Sequence, residues 1–356
     1  MIFKETGTVK TIGIIGGGQL GRMLAMAAAK LGLKTIVLEP QTDCPAAQVA
    51  NQQIVADYAD PAALDALAAQ CDVITFEFEN IPVEAVAALE AKIAVYPPAK
   101  ALEVSQDRLL EKQFLNANGI ATAPFRAVDS QADLEAALNE FGGQGVLKTR
   151  RFGYDGKGQR VYRKGDDATG GYDALGSVPL ILEGFIAFER EISIIAARTQ
   201  SGEIACYDPA ENVHLNGILH TSTLPARISA ETAEAARQAA EKLLSGMNYV
   251  GVVGIEFFLM ADGTLIANEM APRVHNSGHW TEAACVISQF EQHIRAVAGL
   301  PLGATHRHSD CVMTNLIGND ILETGRWLAR KNVVVHLYGK AEARPGRKMG
   351  HVTQLL

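Results

Sequence analysis

The sequence predicts a protein of mixed α/β and α+β class with three domains. These are an N-terminal doubly wound parallel-sheet domain, a central domain of strands, hairpins and helices, and a small strand-rich C-terminal domain. Strands and helices alternate over the first hundred residues, hairpin signals follow, and a short strand-rich segment begins at Pro301. A length of 356 residues is enough for two or three domains, which we place at 1–105, 106–300 and 301–356.

Apolar strands alternate with helical segments in the N-terminal domain. We expect strands at Thr11–Ile15, Thr35–Leu38 and Asp72–Phe78, and helices at Arg22–Leu31, Pro61–Gln70 and Val83–Lys92. Such alternation is typical of a parallel sheet, because parallel neighbours need a crossover connection. Pro97-Pro98 ends the region, and a helix over Gln106–Asn118 should open the central domain.

A glycine-rich turn follows the first strand. Residues Gly16–Gly21 fit G-x-G-x-x-G, and Glu39 ends the next strand near the position of a ribose-binding acid. Glycines allow close backbone approach, and the following helix N-terminus favours an anion. The pattern therefore predicts a phosphate site or a dinucleotide site, although a tight turn needed only for packing gives the same letters.

A second glycine-rich loop, residues 151–159, lies between two strand-like segments. Gly145–Thr149 precedes it and Arg160–Lys164 follows it, so we expect a hairpin tip and not a strand-to-helix phosphate loop. A loop of this kind can close over a polyphosphate, and Lys148 can hold phosphate as a point charge. The alternative interpretation is an exposed surface hairpin.

Two carboxylates should face each other across a hairpin in the central domain. The Asp262-Gly263 pair is a strong turn signal, and Glu256 and Glu269 are equidistant from its centre. Like charges directly opposite each other destabilise a sheet. A Mg²⁺ ion held by both carboxylates removes that conflict. The alternatives are a register slip or two solvated carboxylates.

Three other segments suggest sites for ligands. The segment Ile181–Ile186 could pair with an adenine edge, and Glu191 could bind ribose hydroxyls, although a core strand is an equal interpretation. Arg273, His275 and Asn276 would form a small-oxyanion site. His275 and His279 lack the HExxH spacing of a zinc site.

The C-terminal domain carries a basic cluster of Lys340, Arg344, Arg347 and Lys348, which is either a solvated loop or a clamp for phosphate. The formal net charge of −8 argues against a general nucleic-acid binder. We find no apolar run long enough for a membrane span and no signal-peptide pattern. The five scattered cysteines suggest free thiols in a reducing compartment, so we expect a cytoplasmic enzyme.

The motifs together resemble the ATP-grasp superfamily, and within it the family of N(5)-carboxyaminoimidazole ribonucleotide synthetases. The matching segments are Gly16–Met23 (GGGQLGRM), Phe76–Asn80 (FEFEN), Gly153–Gln159 (GYDGKGQ), Asn268–Trp280 (NEMAPRVHNSGHW) and Arg344–His351 (RPGRKMGH). They occur in the family's order along nearly the whole chain. The resemblance implies a central ATP-grasp domain and a homodimer. It also implies carboxylation of 5-aminoimidazole ribonucleotide by ATP and bicarbonate, with Mg²⁺, through carboxyphosphate, in purine biosynthesis.

The resemblance also implies roles for individual residues. Those expected to bind ATP are Arg108, Lys148, Gly153, Tyr154, Asp155, Gly156, Lys157, Gly158, Gln159, Glu183, Gly184, Phe185, Ile186, Glu191, His214, Asn268 and Glu269. Glu256 and Glu269 would hold Mg²⁺, and Asn268 needs a local bulge or twist to share their face. Those expected to bind the ribonucleotide are Gln19, Leu20, Glu79, Tyr154, Lys157, Lys340 and Arg347. Glu77 competes with Glu79, which we favour.

The catalytic residues that the resemblance implies are Asp155, Arg273, His275 and Asn276. Asp155 would accept or relay a proton from the amine, and the other three would orient bicarbonate. Three alternatives stay open. One is another ATP-grasp ligase, such as a formate-dependent glycinamide ribonucleotide enzyme. The second is an NAD-dependent dehydrogenase built on Gly16–Gly21 and Glu39, and the third is a structural binding protein.

Overall fold

The computed structural model of the chain describes residues 9–153 and 158–356, and three sheets organise them. The first is a parallel sheet in the order β3-β2-β1-β4, with β1 (Thr11–Ile15), β2 (Lys34–Leu38), β3 (Gln52–Ile54) and β4 (Val73–Phe76). Its helices are α1 (Gln19–Lys30), α2 (Pro61–Gln70), α3 (Val83–Glu90) and α4 (Ala99–Ser105). The predicted doubly wound N-terminal unit is therefore confirmed.

Two helix boundaries differ from the prediction. Helix α1 begins at Gln19 and not at Arg22, because Gly21 packs inside its first turn, where a Cβ would meet the Gly16 carbonyl oxygen at 2.8 Å. The helix predicted over 106–118 is instead α5 (Arg108–Ala117), which follows α4 after a break. Asp107 causes the break, since its carboxylate accepts from the Leu109 and Leu110 amides as an N-cap.

The second sheet is antiparallel and small. Its order is β5-β8-β6-β7, with β5 (Phe125–Val128), β6 (Gly145–Thr149), β7 (Gln159–Tyr162) and β8 (Leu180–Gly184). Helices α6 (Gln131–Glu140) and α7 (Gly171–Ala174) accompany it. Lys148 of β6 pairs with Gln159 of β7, so the second glycine loop does connect two hairpin strands, as predicted.

The third sheet has nine strands and joins the central and C-terminal parts of the chain. The strands are β9 (Arg190–Arg198), β10 (Ile204–Cys206), β11 (Ala210–Leu215), β12 (Ile218–Leu224), β13 (Gly251–Leu259), β14 (Leu265–Ala271), β15 (Cys311–Ile317), β16 (Val333–Leu337) and β17 (Lys348–Leu355). Their order is β14-β13-β9-β11-β12-β15-β17-β16, with β10 on β9. The C-terminal strands thus extend the central sheet and do not form one of their own.

The helices of this region are α8 (Ala230–Gly246), α9 (Thr281–Ala284), α10 (Gln289–Ala298) and α11 (Thr324–Leu328). Helix α10 connects the first sheet to the third through buried His293. Its Nδ1 accepts from the Val252 amide at 3.1 Å, and its Nε2 lies 2.7 Å from Thr75 Oγ1. Burial lowers the pKa of His293 to about 3, so the imidazole is neutral and can both accept and donate.

The β13–β14 hairpin has the predicted register at its carboxylates, since Glu256 pairs with Glu269. Beyond that pair the register shifts, and Phe257 pairs with Ala267. Asn268 is therefore the extra residue of a β-bulge. This is the local irregularity that Asn268 needs in order to share a face of the hairpin with Glu269. The five cysteines are free thiols, and none of the described helices is both long and apolar enough for a bilayer.

Candidate active site

A cavity of about 440 Å³ is lined by residues from both antiparallel sheets and from the segment after β14. It brings together most of the side chains singled out in the sequence. Those lining it are Glu79, Arg108, Lys148, Gly153, Gln159, Glu183, Gly184, Phe185, Ile186, Glu191, His214, Glu256, Asn268, Glu269, Arg273, His275, Asn276 and Lys348. Residues from positions 79 to 348 therefore converge on one space.

The carboxylate pair on β13 and β14 lies in this cavity. Arg108 Nη1 lies 3.5 Å from Glu269 Oε2, and the neutral imidazole of His275 has its Nε2 3.7 Å from Glu256 Oε1. Burial and the neighbouring Glu269 raise the pKa of Glu256 to about 7. Two facing carboxylates that repel each other fit a hard divalent cation such as Mg²⁺.

Two lysines share one buried carboxylate at the other side of the cavity. Lys148 Nζ lies 3.0 Å and Lys112 Nζ 3.2 Å from Glu183 Oε2. Burial lowers the pKa of Lys148. Burial raises the pKa of Glu183, but the two lysines outweigh burial and lower this pKa overall. The Glu183 side chain therefore neutralises the two lysines.

A histidine–carboxylate pair and an aromatic pair also line the cavity. His214 Nδ1 lies 2.6 Å from Glu191 Oε2. Burial lowers the pKa of His214, but this hydrogen bond and the charges of Glu256, Glu191 and Glu269 together outweigh burial and raise the pKa overall. Phe188 and Phe258 stack with ring centroids 4.5 Å apart and planes at 14°. Sequence reasoning missed the aromatic pair, because nothing in the two local patterns links Phe188 to Phe258.

Arg273 and Glu79 form a bidentate ion pair, with Nε–Oε2 and Nη2–Oε1 distances of 2.5 and 3.0 Å. Burial raises the pKa of Glu79, but Arg273 outweighs burial and lowers it overall. His275 lies beside them, and burial together with Arg273 lowers its pKa to about 3, which makes the imidazole neutral. Asn276 exchanges amide hydrogen bonds of 2.9 and 2.7 Å with Asn315.

The first glycine loop binds the chain's own carboxylates. The Gly17 amide donates to Glu39 at 2.9 Å, and the Gly18 and Gly21 amides donate to Glu77. Glu39 also accepts from the Tyr58 hydroxyl. The expectation that Glu39 is free to bind a ribose is therefore wrong, and these amides are occupied where a dinucleotide would place its pyrophosphate.

Glu77 and Glu79 both lie beyond the last residue of β4, which ends before the predicted Phe78. Strand β4 ends at Phe76, so the chain turns and the two carboxylates separate. Glu77 caps the glycine loop, while Glu79 pairs with Arg273. Leu20 packs its side chain into the core at 8% exposure, which leaves only its backbone for a ligand.

A second cavity of about 260 Å³ contains part of the predicted phosphate clamp. Lys340, Arg344 and Arg347 line it, together with residues that follow β2. Lys340 Nζ donates to the Lys348 carbonyl at 2.7 Å. Burial and Arg347 lower the pKa of Lys340 to about 8. Gln19 is not among the residues lining either cavity.

Four predicted residues, Tyr154, Asp155, Gly156 and Lys157, lie outside the described residues. Among the described ones, Gly158 has a positive φ of +70°, and a Cβ there would meet Thr149 Oγ1 at 2.8 Å. This position therefore requires glycine because of both its backbone conformation and its close approach to β6.

Two buried charged residues of α5 were missed in the sequence. Glu111 and Lys112 follow Arg108 by three and four positions, and such spacing places all three on one helix face. Glu111 accepts from the Met270 amide at 2.5 Å, and burial raises its pKa to about 7. Lys112 donates to the Asn268 carbonyl at 3.1 Å. The helical spacing was the available signal.

Three domain families match consecutive parts of the chain. They are the ribonucleotide synthetase preATP-grasp domain over residues 9–106, the ATP-grasp domain over 113–290, and the phosphoribosylaminoimidazole carboxylase C-terminal domain over 311–356. The three matched segments follow one another along the chain without overlap.

Curated relatives and solved structures match nearly the whole chain. An N5-carboxyaminoimidazole ribonucleotide synthase of Brucella melitensis is 66% identical over 97% of this chain and 96% of its own. The Thermus thermophilus synthetase structure superposes with a TM-score of 0.91 at 46% identity, covering 97% of this chain and 93% of that one. An Aspergillus clavatus synthase structure, in complex with ADP and 5-aminoimidazole ribonucleotide, gives a TM-score of 0.92 at 31% identity, covering 98% and 94%.

Proposed function

The chain belongs to the N5-carboxyaminoimidazole ribonucleotide synthase family, and we propose that it carboxylates 5-aminoimidazole ribonucleotide with bicarbonate, using ATP. It is an ATP-dependent carbon–nitrogen ligase of purine biosynthesis. One observation of the structure carries the proposal. The cavity that contains the carboxylate pair Glu256 and Glu269 also contains Arg273, His275 and Asn276, so a phosphoryl donor and a small oxyanion can meet there.

We propose that ATP lies between the two antiparallel sheets. Phe188 and Phe258 offer a flat apolar surface for the adenine ring, and the backbone from Gly184 to Ile186 offers hydrogen bonds at its edge. The Glu191–His214 pair would bind the ribose hydroxyls. Lys148 and Arg108 would neutralise the phosphates, with the glycine loop closing over them.

ATP-grasp enzymes typically use ATP with Mg²⁺, and the described residues fit that ion. Glu256 and Glu269 would hold it, because their carboxylates face each other across the β13–β14 hairpin in the same cavity. A bound Mg²⁺ would neutralise charge on the transferring phosphoryl group. The chain's own residues supply the rest of the chemistry.

Arg273, His275 and Asn276 would orient bicarbonate for attack on the terminal phosphorus of ATP. An oxygen–phosphorus bond then forms as the bond to ADP breaks, giving carboxyphosphate. His275 is neutral at pH 7, so it contributes a hydrogen bond to the oxyanion and adds no charge. Enclosure between the sheets excludes water, which would otherwise hydrolyse the intermediate. The exocyclic amine of the ribonucleotide then attacks the carboxyl carbon of carboxyphosphate, and phosphate leaves. In the other route, carboxyphosphate first releases CO₂ and phosphate, and the amine attacks the CO₂.

The ribonucleotide would extend from the first cavity toward the second. Glu79 would contact its imidazole end. Lys340 and Arg347 would contact its 5-phosphate. The N-terminus of α1, at Gln19 and Leu20, lies close to the amides that Glu77 caps. Tyr154 and Lys157, outside the described residues, remain candidates for the same substrate. Asp155 remains our candidate for taking the proton that the amine loses.

The experiment that tests this function is ADP release with Mg-ATP and bicarbonate, with and without 5-aminoimidazole ribonucleotide. We expect strong stimulation by the ribonucleotide that requires bicarbonate. ADP release that ignores the ribonucleotide would point to another acceptor. Thermal protection by NADH, without protection by Mg-ATP, would favour the dehydrogenase alternative.

Lys340→Ala should raise KM for the ribonucleotide about tenfold or more, while KM for ATP changes little. The reason is that a charge-assisted contact to the 5-phosphate is lost at a site separate from the ATP pocket. Steady-state kinetics with each substrate varied in turn measures this. An unchanged KM for the ribonucleotide would remove Lys340 from the phosphate clamp.

The same lysine should make ribonucleotide binding depend on pH. Its pKa of about 8 means that the free enzyme loses the charge as pH rises through that value. KM for the ribonucleotide should therefore rise between about pH 7 and pH 9. Lys340→Arg should abolish that rise, because a guanidinium keeps its charge throughout. An identical pH profile in wild type and Lys340→Arg would contradict the assignment.

We also propose domain boundaries at 1–105, 106–300 and 301–356, a cytoplasmic location and a homodimer. Support for the dimer comes from the edge strand β16 and from Leu322 and Leu328, which are 79% and 66% exposed beside it. Exposed sheet edges and apolar side chains favour association. Light scattering at several protein concentrations tests the oligomeric state.

A further inference from the structure

Three ligand-type side chains from distant parts of the chain converge behind the active site. Glu282 comes from α9, His336 from the edge strand β16, and His351 from β17. The two histidines are direct cross-strand partners, so their rings lie on one face with centroids 5.3 Å apart. One oxygen and two nitrogens of the three residues lie within 4.8 Å of one another.

The three ligand atoms converge on a single point. Glu282 Oε2 lies 2.9 Å from His336 Nδ1 and 3.3 Å from His351 Nε2. In a tetrahedral zinc site with bonds of about 2.0–2.1 Å, neighbouring ligand atoms lie about 3.3 Å apart. The cluster therefore needs movements of about 1 Å or less to surround an ion.

The cluster combines burial with one open side. The His351 side chain is 3% exposed, His336 13% and Glu282 23%. Water can reach a fourth position from the side of the partly exposed Glu282 and His336.

The surrounding residues also suit a metal ligand. The Tyr338 hydroxyl lies 3.0 Å from His351 Nδ1. It can accept the Nδ1 proton and leave the Nε2 lone pair directed at the cluster, as outer partners of zinc-bound histidines do. Nitrogen donors with one carboxylate favour Zn²⁺ over Mg²⁺, which prefers oxygen. We propose that Glu282, His336 and His351 form a Zn²⁺ site with water as the fourth ligand.

A metal ion here would fix the C-terminal hairpin to the segment that carries the oxyanion residues. His351 packs against His279, with ring centroids 4.8 Å apart. Gln289 connects His279 to the backbone of His275, through contacts of 3.0 Å to His279 Nδ1 and 2.7 Å to the His275 carbonyl. The cluster therefore lies one packed layer behind His275.

Zinc titration of the full-length protein tests the proposal. EDTA-treated protein is titrated with ZnCl₂ in millimolar Mg²⁺, which occupies the carboxylate pair Glu256 and Glu269. We expect one equivalent to bind and to raise Tm. His336→Gln and Glu282→Gln should each weaken binding at least about tenfold, and Tyr338→Phe by about tenfold. His308→Gln, which removes an exposed histidine, should bind as wild type does.

Cobalt gives an independent readout, because Co²⁺ in a tetrahedral site absorbs strongly in the visible range. The spectrum should appear in wild type and His308→Gln and be absent in His336→Gln. Retained thermal protection by Mg-ATP shows that each variant is folded. The absence of Zn²⁺ binding in wild type would overturn the proposal. Equal binding in wild type, His336→Gln and Glu282→Gln would also overturn it, since the ion would then lie elsewhere.

Discussion

Glu269→Gln is expected to lower kcat by about 10³-fold or more, which in effect abolishes turnover. The substitution removes one of two facing carboxylates while keeping the volume of the side chain. Glu256 alone then remains to hold Mg²⁺, and the ion loses the position that orients the phosphates. Steady-state ADP release in saturating Mg-ATP, bicarbonate and ribonucleotide measures the effect.

Thermal unfolding separates this result from a folding defect. Burial and Glu269 raise the pKa of Glu256, so removing the Glu269 charge relieves repulsion, and the free variant should be at least as stable as wild type. The additional stabilisation that Mg²⁺ gives in the presence of ATP should disappear. Glu203→Gln is an exposed control with the same chemical change. It should keep the wild-type stability of the free protein and the additional stabilisation by Mg²⁺ in the presence of ATP. Normal turnover in Glu269→Gln would contradict the metal assignment.

Lys148→Met should reduce kcat/KM for ATP by about 10²–10³-fold, because it removes the positive charge that we propose binds the transferring phosphates. The methionine keeps a similar length and an apolar stem. Glu183 keeps Lys112 as its partner at 3.2 Å, so the buried carboxylate is not left unpaired. Kinetics with ATP varied at saturating ribonucleotide measures the effect.

The matched control is Lys164→Met, which makes the same change at an exposed position just beyond the β6–β7 hairpin. It should leave kcat/KM within about twofold of wild type, as expected for an exposed residue outside the site. Equal values in Lys148→Met and wild type would exclude Lys148 from phosphate binding. A loss confined to KM for the ribonucleotide would also contradict the role proposed here.

Several parts of the fold could be predicted because local patterns determine them. Strand β1 and helix α2 have the predicted bounds, since an uninterrupted apolar run and an Asp-Pro start are strong local signals. The Glu256–Glu269 pair was predictable because the Asp262-Gly263 turn fixes where the strands meet. The family resemblance then connected these elements to one activity.

Other parts of the site depend on contacts that no local pattern contains. Glu77 and Glu79 separate because β4 ends before them, and strict alternation does not signal a strand end. Glu39 is used by Gly17 and Tyr58, which become its neighbours only when the first sheet forms. Glu282, His336 and His351 meet only when β16 pairs with β17 and packs on α9.

The measurement that most directly tests the account is transfer of ¹⁸O from labelled bicarbonate to inorganic phosphate during turnover with the ribonucleotide. If bicarbonate attacks ATP in this cavity, each phosphate released should carry one ¹⁸O atom from bicarbonate, because the new oxygen–phosphorus bond is retained. Phosphate without the label, formed at the same rate as the carboxylated product, would contradict phosphoryl transfer to bicarbonate and with it the roles assigned to Arg273, His275 and Asn276.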